Sequence, residues 1–577
     1  MPTETSPYED RLTAVANGYQ VQAFGSDGFG DEVNPLTGDL RFTQVDLELK
    51  GVGPDISIIR TFSSNEGRQR NWHGSYFFGD WNLEVPRVVT HAREITAPPN
   101  QVQEAQWQVS GTNPHARCSN YDLPPEDPLG RWWNGVEIRG VSSEGTFGTE
   151  RLPLLKRGGN PISPSMTIDG VAMTFPMVTT SLWMVACLPS ITNGPGEGFL
   201  AVSPSGTIYW FNYMVKVYSE KYSPPYSPQN YPYPQGYTSA QYWPDGARRV
   251  QLALMPSRIR DRFGNEISFT YSNNRLQAIS SSDGRSISIT TETDHRAITV
   301  TSDNPAARRV WRYYTGHIPG TVSSGLLRVV RPDGTYWQFS LGHFTRMCDA
   351  RIWQAPSWDP IKICQDASGG VFFERQGTVK APSGAVATYV VQGWPMAYTV
   401  DPAIEPYDYV ESEFYEPVYP TTYSVRSKMV DNLGSISEWR YSYNQFCPGA
   451  SRPANTVSFD VTNPDGSIDV HFVDNTWRGP HTGQIKKKLL GATCAGNSYS
   501  AFREEITSWV PIDQPNPWPS PFGLVNYQHV GKKAYEYLSP MRSRVINQNG
   551  ASFHFVNEVH DQYGNPTQVK KYSSIQP

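Results

Sequence analysis

The chain has 577 residues, 38% of them apolar and 13% aromatic, a composition that excludes intrinsic disorder. Its 49 Lys and Arg are interspersed with 54 Asp and Glu, which excludes the basic stripe that nucleic-acid binding requires. With 32 Tyr, 17 Trp, 48 Gly and 48 Pro, it favours short strands between frequent turns over long helices.

The opening segment, MPTETSPYEDRLTA, has neither a basic n-region nor an apolar h-region, and residues 1–31 read as an N-terminal tail. The first strand signal follows it. Asn34-Pro35 and Thr37-Gly38 make a turn; then Leu40, Phe42, Val45, Leu47 and Leu49 alternate with polar residues, with one slip that predicts a bulge. Gly51-Val52-Gly53-Pro54 turns the chain into Ile56, Ile58 and Ile59, so an antiparallel pair opens the fold. Residues 98–160 read as irregular and polar. From Gly170 to Gly196 no charge occurs, but Pro176, Pro189 and Pro195 interrupt the run. A membrane-spanning helix wants about 20 predominantly apolar residues, so buried strands are expected and no transmembrane segment. A Tyr/Pro-rich insertion, 218–244, carries Tyr226, Tyr231, Tyr233, Tyr237 and Trp243, aromatics suited to stacking on a carbohydrate face or anchoring an interface. The segment packing against neighbouring strands is the plainer expectation. A second insertion lies near 400–425.

From Asp261 a unit recurs. Gly264-Asn265 turns, Ile267, Phe269 and Tyr271 alternate, Asn273-Asn274 turns again, and Asp283-Gly284 is the dipeptide of a two-residue hairpin. Further turns are marked by Gly206, Gly334, Gly434, Gly466, Gly550, and Gly564 with Asn565, each followed by alternating aromatic or aliphatic residues. Such hairpins bury their apolar faces only by stacking on their neighbours. The fold expected is all-β: stacked antiparallel hairpins in a continuous curved β-sheet ribbon, with few or no long helices. Residues 32–250 would form an N-terminal β domain with irregular insertions, and 251–577 the ribbon. Lys486, Lys487 and Lys488 read as a solvated strand end.

Six cysteines, Cys118, Cys187, Cys348, Cys364, Cys447 and Cys494, show no CxxC and no zinc-ligand spacing. Fifteen pairings are open to six cysteines. Pairing the closest in sequence joins Cys348 to Cys364 and Cys447 to Cys494, leaving Cys118 with Cys187. At least one disulfide is expected, and with it an oxidising compartment. No GxSxG, HExxH, P-loop or dinucleotide fingerprint occurs, so no catalytic residue, cofactor or metal is expected. Two tempting clusters, His554 and His560 beside Glu558, and Asp460, Asn463, Asp465 and Asp469, are explained by hairpin ends. Glu413, Glu416, Glu504 and Glu505 are carboxylates that a glycan hydrolase could use, though nothing in the sequence selects them.

The D-x-[FY]-G-N turn at Asp261–Asn265 and again at Asp561–Asn565, with Pro-Asp-Gly at 332–334 and 464–466, resembles the Rhs/YD repeat. Asn34-Pro35-Leu36-Thr37-Gly38 followed by Arg60-Thr61-Phe62-Ser63-Ser64 resembles the segment that opens many bacterial Rhs proteins. The Tyr-Asp pair that names the repeat is here Tyr271-Ser272 and Tyr443-Asn444. The resemblance implies a ribbon that spirals into a shell, secreted or at the cell surface, as in toxin complexes and in the adhesive teneurins. It implies a non-catalytic shell segment or scaffold whose partner is a protein or an enclosed toxin domain. A carbohydrate or cell-surface binding module is the alternative, and a glycan-active hydrolase a more distant one.

Overall fold

The computed structural model describes residues 21–22, 29–64, 77–94, 115–119, 135–157, 163–221, 248–291, 297–302, 308–317, 324–341, 344, 374–395, 421–443, 447, 449–476, 481, 483–496, 498–510, 527–529, 532–534 and 540–575. Every regular element of more than one residue among them is a strand. No helix among the described residues is long and apolar enough to cross a membrane, which leaves β-barrels unaddressed.

The first six strands are β1 (Val21–Gln22), β2 (Asp31–Val33), β3 (Leu40–Leu49), β4 (Ile56–Ser63), β5 (Phe77–Phe78) and β6 (Trp81–Leu83). They form a sheet in the order β1-β2-β3-β4-β6-β5. The expected hairpin is β3–β4, and the slip in its alternation is a bulge between Val45 and Leu47. Every residue of β4 is buried, so this sheet is covered on both faces.

The next group is β7 (Arg87–Glu94), β8 (Val136–Val141), β9 (Phe147–Pro153), β10 (Leu155–Lys156), β11 (Ser165–Ile168), β12 (Val171–Thr174), β13 (Met177–Val178), β14 (Met184–Leu188), β15 (Gly198–Val202), β16 (Ile208–Lys221) and β17 (Arg248–Arg260). Thus the uncharged run from Gly170 folds as strands, as its prolines require. The stretch expected to be irregular contains β8, β9 and β10; its sparse, Arg- and Glu-rich alternation hid them. β17 is shared. Its residues 248–254 pair with β16 on one edge and β7 on the other, while 258–260 pair with the next strand, β18 (Glu266–Ser272). β7 pairs with β8 and β8 with β9. At Leu154, whose N–H donates to Val136 O at 3.0 Å, the chain changes partner, and Leu155 pairs with Val178 of β13. From β13 the pairing runs through β14, β15 and β16 back to β17. These strands therefore nearly close into a barrel, with the Leu154 bond bridging the gap. Trp183, Tyr209 and Phe211 fill it; Trp183 Nε1 donates to Ser143 O at 2.9 Å and Tyr209 Oη to Gly145 O at 2.8 Å. The β11–β12 hairpin packs Ile168 and Met173 on the outer face of Leu200 and Trp210.

From β17 a ribbon runs on through β18 (Glu266–Ser272), β19 (Arg275–Ser281), β20 (Ser286–Thr291), β21 (Ala297–Ser302), β22 (Arg309–His317), β23 (Ser324–Val330), β24 (Tyr336–Ser340), β25 (Glu374–Lys380), β26 (Val386–Pro395), β27 (Thr421–Asn432), β28 (Ser435–Tyr443), β29 (Thr456–Thr462) and β30 (Ile468–Asp474). It continues in β31 (Ile485–Ala495) and β32 (Ser498–Trp509), passes the separate hairpin of β33 (Tyr527–His529) and β34 (Lys532–Ala534), and ends in β35 (Met541–Gln548), β36 (Ala551–His560) and β37 (Pro566–Ile575). Barrel and ribbon together are one 27-stranded antiparallel sheet. The ribbon is curved far enough that Tyr563, in its last turn, packs on Leu155 and Val178 of the barrel. Arg157 donates to the Tyr563 hydroxyl at 3.2 Å.

Successive hairpin connections alternate between the ribbon's two rims. Turns 261–265, 282–285, 331–335, 381–385, 433–434, 463–467 and 549–550 all lie on one rim. The strands flanking 222–247, 341–373, 396–420 and 510–540 all end on the other. Most of the expected turns mark the tight rim, though Asn273-Asn274 and Gly564-Asn565 lie on the other, and the expected two-residue hairpin at Asp283-Gly284 builds a longer turn. At 281–285, Ser281 N–H bonds Arg285 O and Gly284 N–H bonds Ser281 O, a three-residue loop with Gly284 left-handed. Asp333 and Asp465 explain the preference for Asp: each Oδ1 accepts from the backbone N–H two residues on, at 2.9 Å.

Candidate functional surface

The ribbon has an inner face that grips the chain's own N-terminal sheet. Phe42 meets Tyr389 edge-on at 5.3 Å, Trp81 lies 4.8 Å from Phe339, and Phe78 stacks on Tyr313 at 4.2 Å. Polar groups fix the register. Ser424 Oγ donates to Thr37 O at 2.8 Å, Val425 N–H to Gly38 O at 2.9 Å, and Leu326 N–H to Asp80 Oδ1 at 2.7 Å. Gly38 is needed here: its φ is 73°, and a Cβ would sit 2.4 Å from both Ser424 Cβ and the Tyr443 hydroxyl oxygen. Two buried ion pairs complete the junction. Lys428 Nζ reaches Asp31 Oδ1 at 2.8 Å, beneath Trp439 at 5.1 Å. Arg60 Nε donates to Asp46 Oδ2 at 2.7 Å while its guanidinium stacks on Trp81 at 4.4 Å, and Tyr313 Oη donates to the same Asp46 oxygen at 3.0 Å. At the tight rim Val52 N–H donates to Asp283 Oδ2 at 3.1 Å and Arg285 Nη2 to Pro54 O at 3.0 Å, so the β3–β4 tip is tied down too.

Past β28 this face continues beyond the N-terminal sheet among the described residues. Register carries it from Tyr443 to Phe459, His471, Lys488, Glu505, Ile546 and Phe553. The main apolar core ends at Phe459 and Val461. On the opposite face a smaller cluster of Val470, Phe472 and Leu489 takes over, with Tyr499 against it. Most residues of β35–β37 are at least partly exposed on both faces.

Glu504 and Glu505, neighbours in β32, point to opposite faces. Glu504 pairs with Lys487 at 2.6 Å and accepts from Asn547 at 2.8 Å. Glu505 pairs with Arg503 at 2.6 Å and with Arg544. Burial pushes both carboxyls up, but these hydrogen bonds and charges outweigh it and hold both below the usual range. Two carboxylates on opposite sides of one strand cannot flank a glycosidic bond, so this pair is not a hydrolase dyad. Glu413, Glu416, Tyr226, Tyr231, Tyr233, Tyr237 and Trp243 lie outside the described residues, as do Cys348 and Cys364. His554 stacks on Tyr572 at 4.5 Å and His560 donates to Met541 O at 3.1 Å. Asn463 Nδ2 donates to Asp469 at 3.2 Å, and Asp460 accepts from Ser442 at 3.2 Å. The lysine run opens β31 rather than fraying into solvent, because Lys486 pairs with Asp474 at 2.6 Å and Lys487 with Glu504.

Disulfides join Cys118 to Cys187 and Cys447 to Cys494, each with Cα atoms 5.4 Å apart. The first ties the segment around Arg117 to β14; Glu197 accepts from the N–H groups of Cys118 and Ser119 at 2.9 and 2.8 Å. The second binds the β28–β29 connection to the end of β31.

No family model matches the chain, and no curated protein does. Among solved structures it is similar to the TcdB2–TccC3–Cdc42 crystal structure, at 9% identity and a TM-score of 0.25, covering 93% of this chain and 29% of that one. It is also similar to the N-terminal domain of effector protein SpvB from Salmonella typhimurium strain LT2, at 10% identity and a TM-score of 0.15, covering 69% of this chain and 94% of that one.

Proposed function

We propose that the chain is a non-catalytic structural protein of the Rhs/YD-repeat type, a shell segment or surface scaffold in an exported toxin or cell-surface assembly. One observation carries this reading. A single ribbon face holds the chain's own N-terminal sheet as far as β28, then continues in register past that sheet, among the described residues, to Ile546 of β35 and the 43% exposed Phe553 of β36. Such a face is a wall whose second half awaits a protein partner. The repeated turn at Asp261–Asn265 and Asp561–Asn565 supports the type: in both, the Asp Oδ1 accepts from two backbone N–H groups, two and four residues on, at 2.8 and 2.9 Å. Two disulfides support export, since reducing compartments rarely keep them. The test is photo-crosslinking in the producing cell. A crosslinker placed at Phe553, on the inner face, should capture a polypeptide; one at Ile506, on the outer face beside Lys487, should not. Capture from neither position, with the chain recovered alone, would sink the scaffold reading.

A further inference from the structure

Beyond Phe459 the inner face changes chemistry. His471 lies opposite Lys488, Lys488 opposite Glu505, and Glu505 opposite Ile546. Same-face neighbours along those strands are Arg503 beside Glu505, Arg544 beside Ile546, and Phe555 beside Phe553, with Lys571 opposite Phe555. On this stretch Lys488, Arg503, Arg544 and Lys571 thus stand against two carboxylates among the described residues, Glu505 and Asp469, and Asp469 already accepts from Asn463 Nδ2 and from Gly491 N–H. Glu505 is buried and already shared between Arg503 and Arg544. Arg503 Nε is buried without a partner. Burial, reinforced by Arg544 and Arg503, pushes the Lys488 ammonium below its ordinary range in spite of Glu505. Beside this cationic row runs an apolar one, in which Phe553 is 43% exposed. Strands stand about 4.8 Å apart, so the cations form a row that an extended chain can follow.

The geometry points to an acidic polypeptide segment of a partner protein as the occupant of this face, its carboxylates pairing with Lys488, Arg503 and Arg544 and its apolar side chains resting on Phe553 and Phe555. The inference rests on the same face being the partner-facing wall, and adds the partner's chemistry. A carboxylate is favoured over a phosphate backbone because the cations sit among half-buried apolar side chains, and among the described residues no Gly-rich nest of N–H groups adjoins them to hold phosphate.

The probe is a fluorescein-labelled glutamate–tyrosine copolymer, followed by anisotropy with the full-length chain. Wild type should bind, more weakly as salt rises. Lys488→Gln/Arg503→Gln/Arg544→Gln should bind about tenfold or more weakly. Lys50→Gln/Arg440→Gln, which removes two exposed cations elsewhere, should bind as wild type. Arg544→Lys keeps the charge and should retain most binding, which guards against mere misfolding of the triple variant. Equal binding by the triple variant would overturn the inference, as would a labelled single-stranded oligonucleotide that binds as tightly as the copolymer. The chain's own segment 401–416 carries Asp401, Glu405, Asp408, Glu411, Glu413 and Glu416 without a base. If changing those acids to amides makes the copolymer bind far more tightly, the chain itself occupies the face and the partner assignment fails. A crosslinked partner at Phe553 without copolymer binding would leave the scaffold reading standing and this one refuted.

Discussion

Leu433 is 84% exposed and holds φ at 54° beside Gly434 in the β27–β28 turn. An L-residue other than Gly, Asn or Asp pays about 1 kcal/mol for that conformation, and here the exposed side chain offsets little of it. Leu433→Asn should therefore raise stability by about 1 kcal/mol, read as a higher denaturant midpoint at unchanged slope. Gly334 gives the converse case: its φ is 82° and a Cβ there would touch nothing within 4 Å. Gly334→Ala should lose about 1 kcal/mol from backbone conformation alone, and an unchanged midpoint would count against the turn geometry. His471 tests burial on the inner face. Burial holds its imidazole down at about 3, against an ordinary 6.5, with Lys488 adding to the effect. The unfolded chain then binds the extra proton between those values. Stability is full above about 6.5 and falls as pH drops toward 3, by up to about 1.4 kcal/mol per unit. Above about pH 5 most carboxylates stay ionised, so a stability profile from pH 7 to 5 that slopes in wild type and flattens in His471→Gln would isolate this group.

At the scale of elements, the docking of the N-terminal sheet on the ribbon decides stability. Lys428 and Asp31 are 0% and 1% exposed, and they join β27 to β2. Removing one partner of a buried pair strands the other charge, at a cost of about 3–5 kcal/mol, whereas replacing both with apolar residues is often near neutral. Lys428→Met and Asp31→Leu should each destabilise strongly in chemical denaturation, and the double variant should recover most of the loss. Additive losses would mean the pair is not the contact that holds the sheet. The hairpin β3–β4, its bulge and the tight-rim turns were legible in sequence because alternation and turn dipeptides are local signals. Docking was not: Asp31 and Lys428 lie far apart in the chain, and no local pattern distinguishes a sheet that will be swallowed from one that faces water. The turn length at Asp283-Gly284 was misread for a related reason, since the same dipeptide serves two-residue and three-residue loops and the flanking register chooses between them. On the candidate surface, Lys487 and Lys488 were visible as a run, and strand alternation sends them to opposite faces, but which of the two faces the inner side depends on their pairing with Phe472 and His471, which the run does not show.

For the whole molecule, curvature is the property that makes a ribbon into a wall, and one side chain reports it. Phe263 and Tyr563 occupy the same place in the same turn motif, yet Phe263 is 75% exposed and Tyr563 7%. Local sequence cannot account for the difference, because the turns around them share their hydrogen bonds. What differs is that the ribbon, twisted and curved as sheets are, brings its last turn back to Leu155, Val178 and Arg157 of the barrel. The contact is small beside the long pairings of β36 with β37, so Tyr563→Ala should leave the midpoint of global unfolding nearly in place. Its effect should be on shape and local opening. Small-angle scattering should show longer maximum distances in Tyr563→Ala than in wild type, and amide exchange should quicken in β36 and β37 while β26 and β27 stay protected. Phe263→Ala, the matched substitution at an exposed ring, should change neither. If both variants scatter like wild type, the curvature is set by the sheet alone and the barrel contact merely rests on it; if both expand, the motif stiffens the rim and the closure argument is wrong.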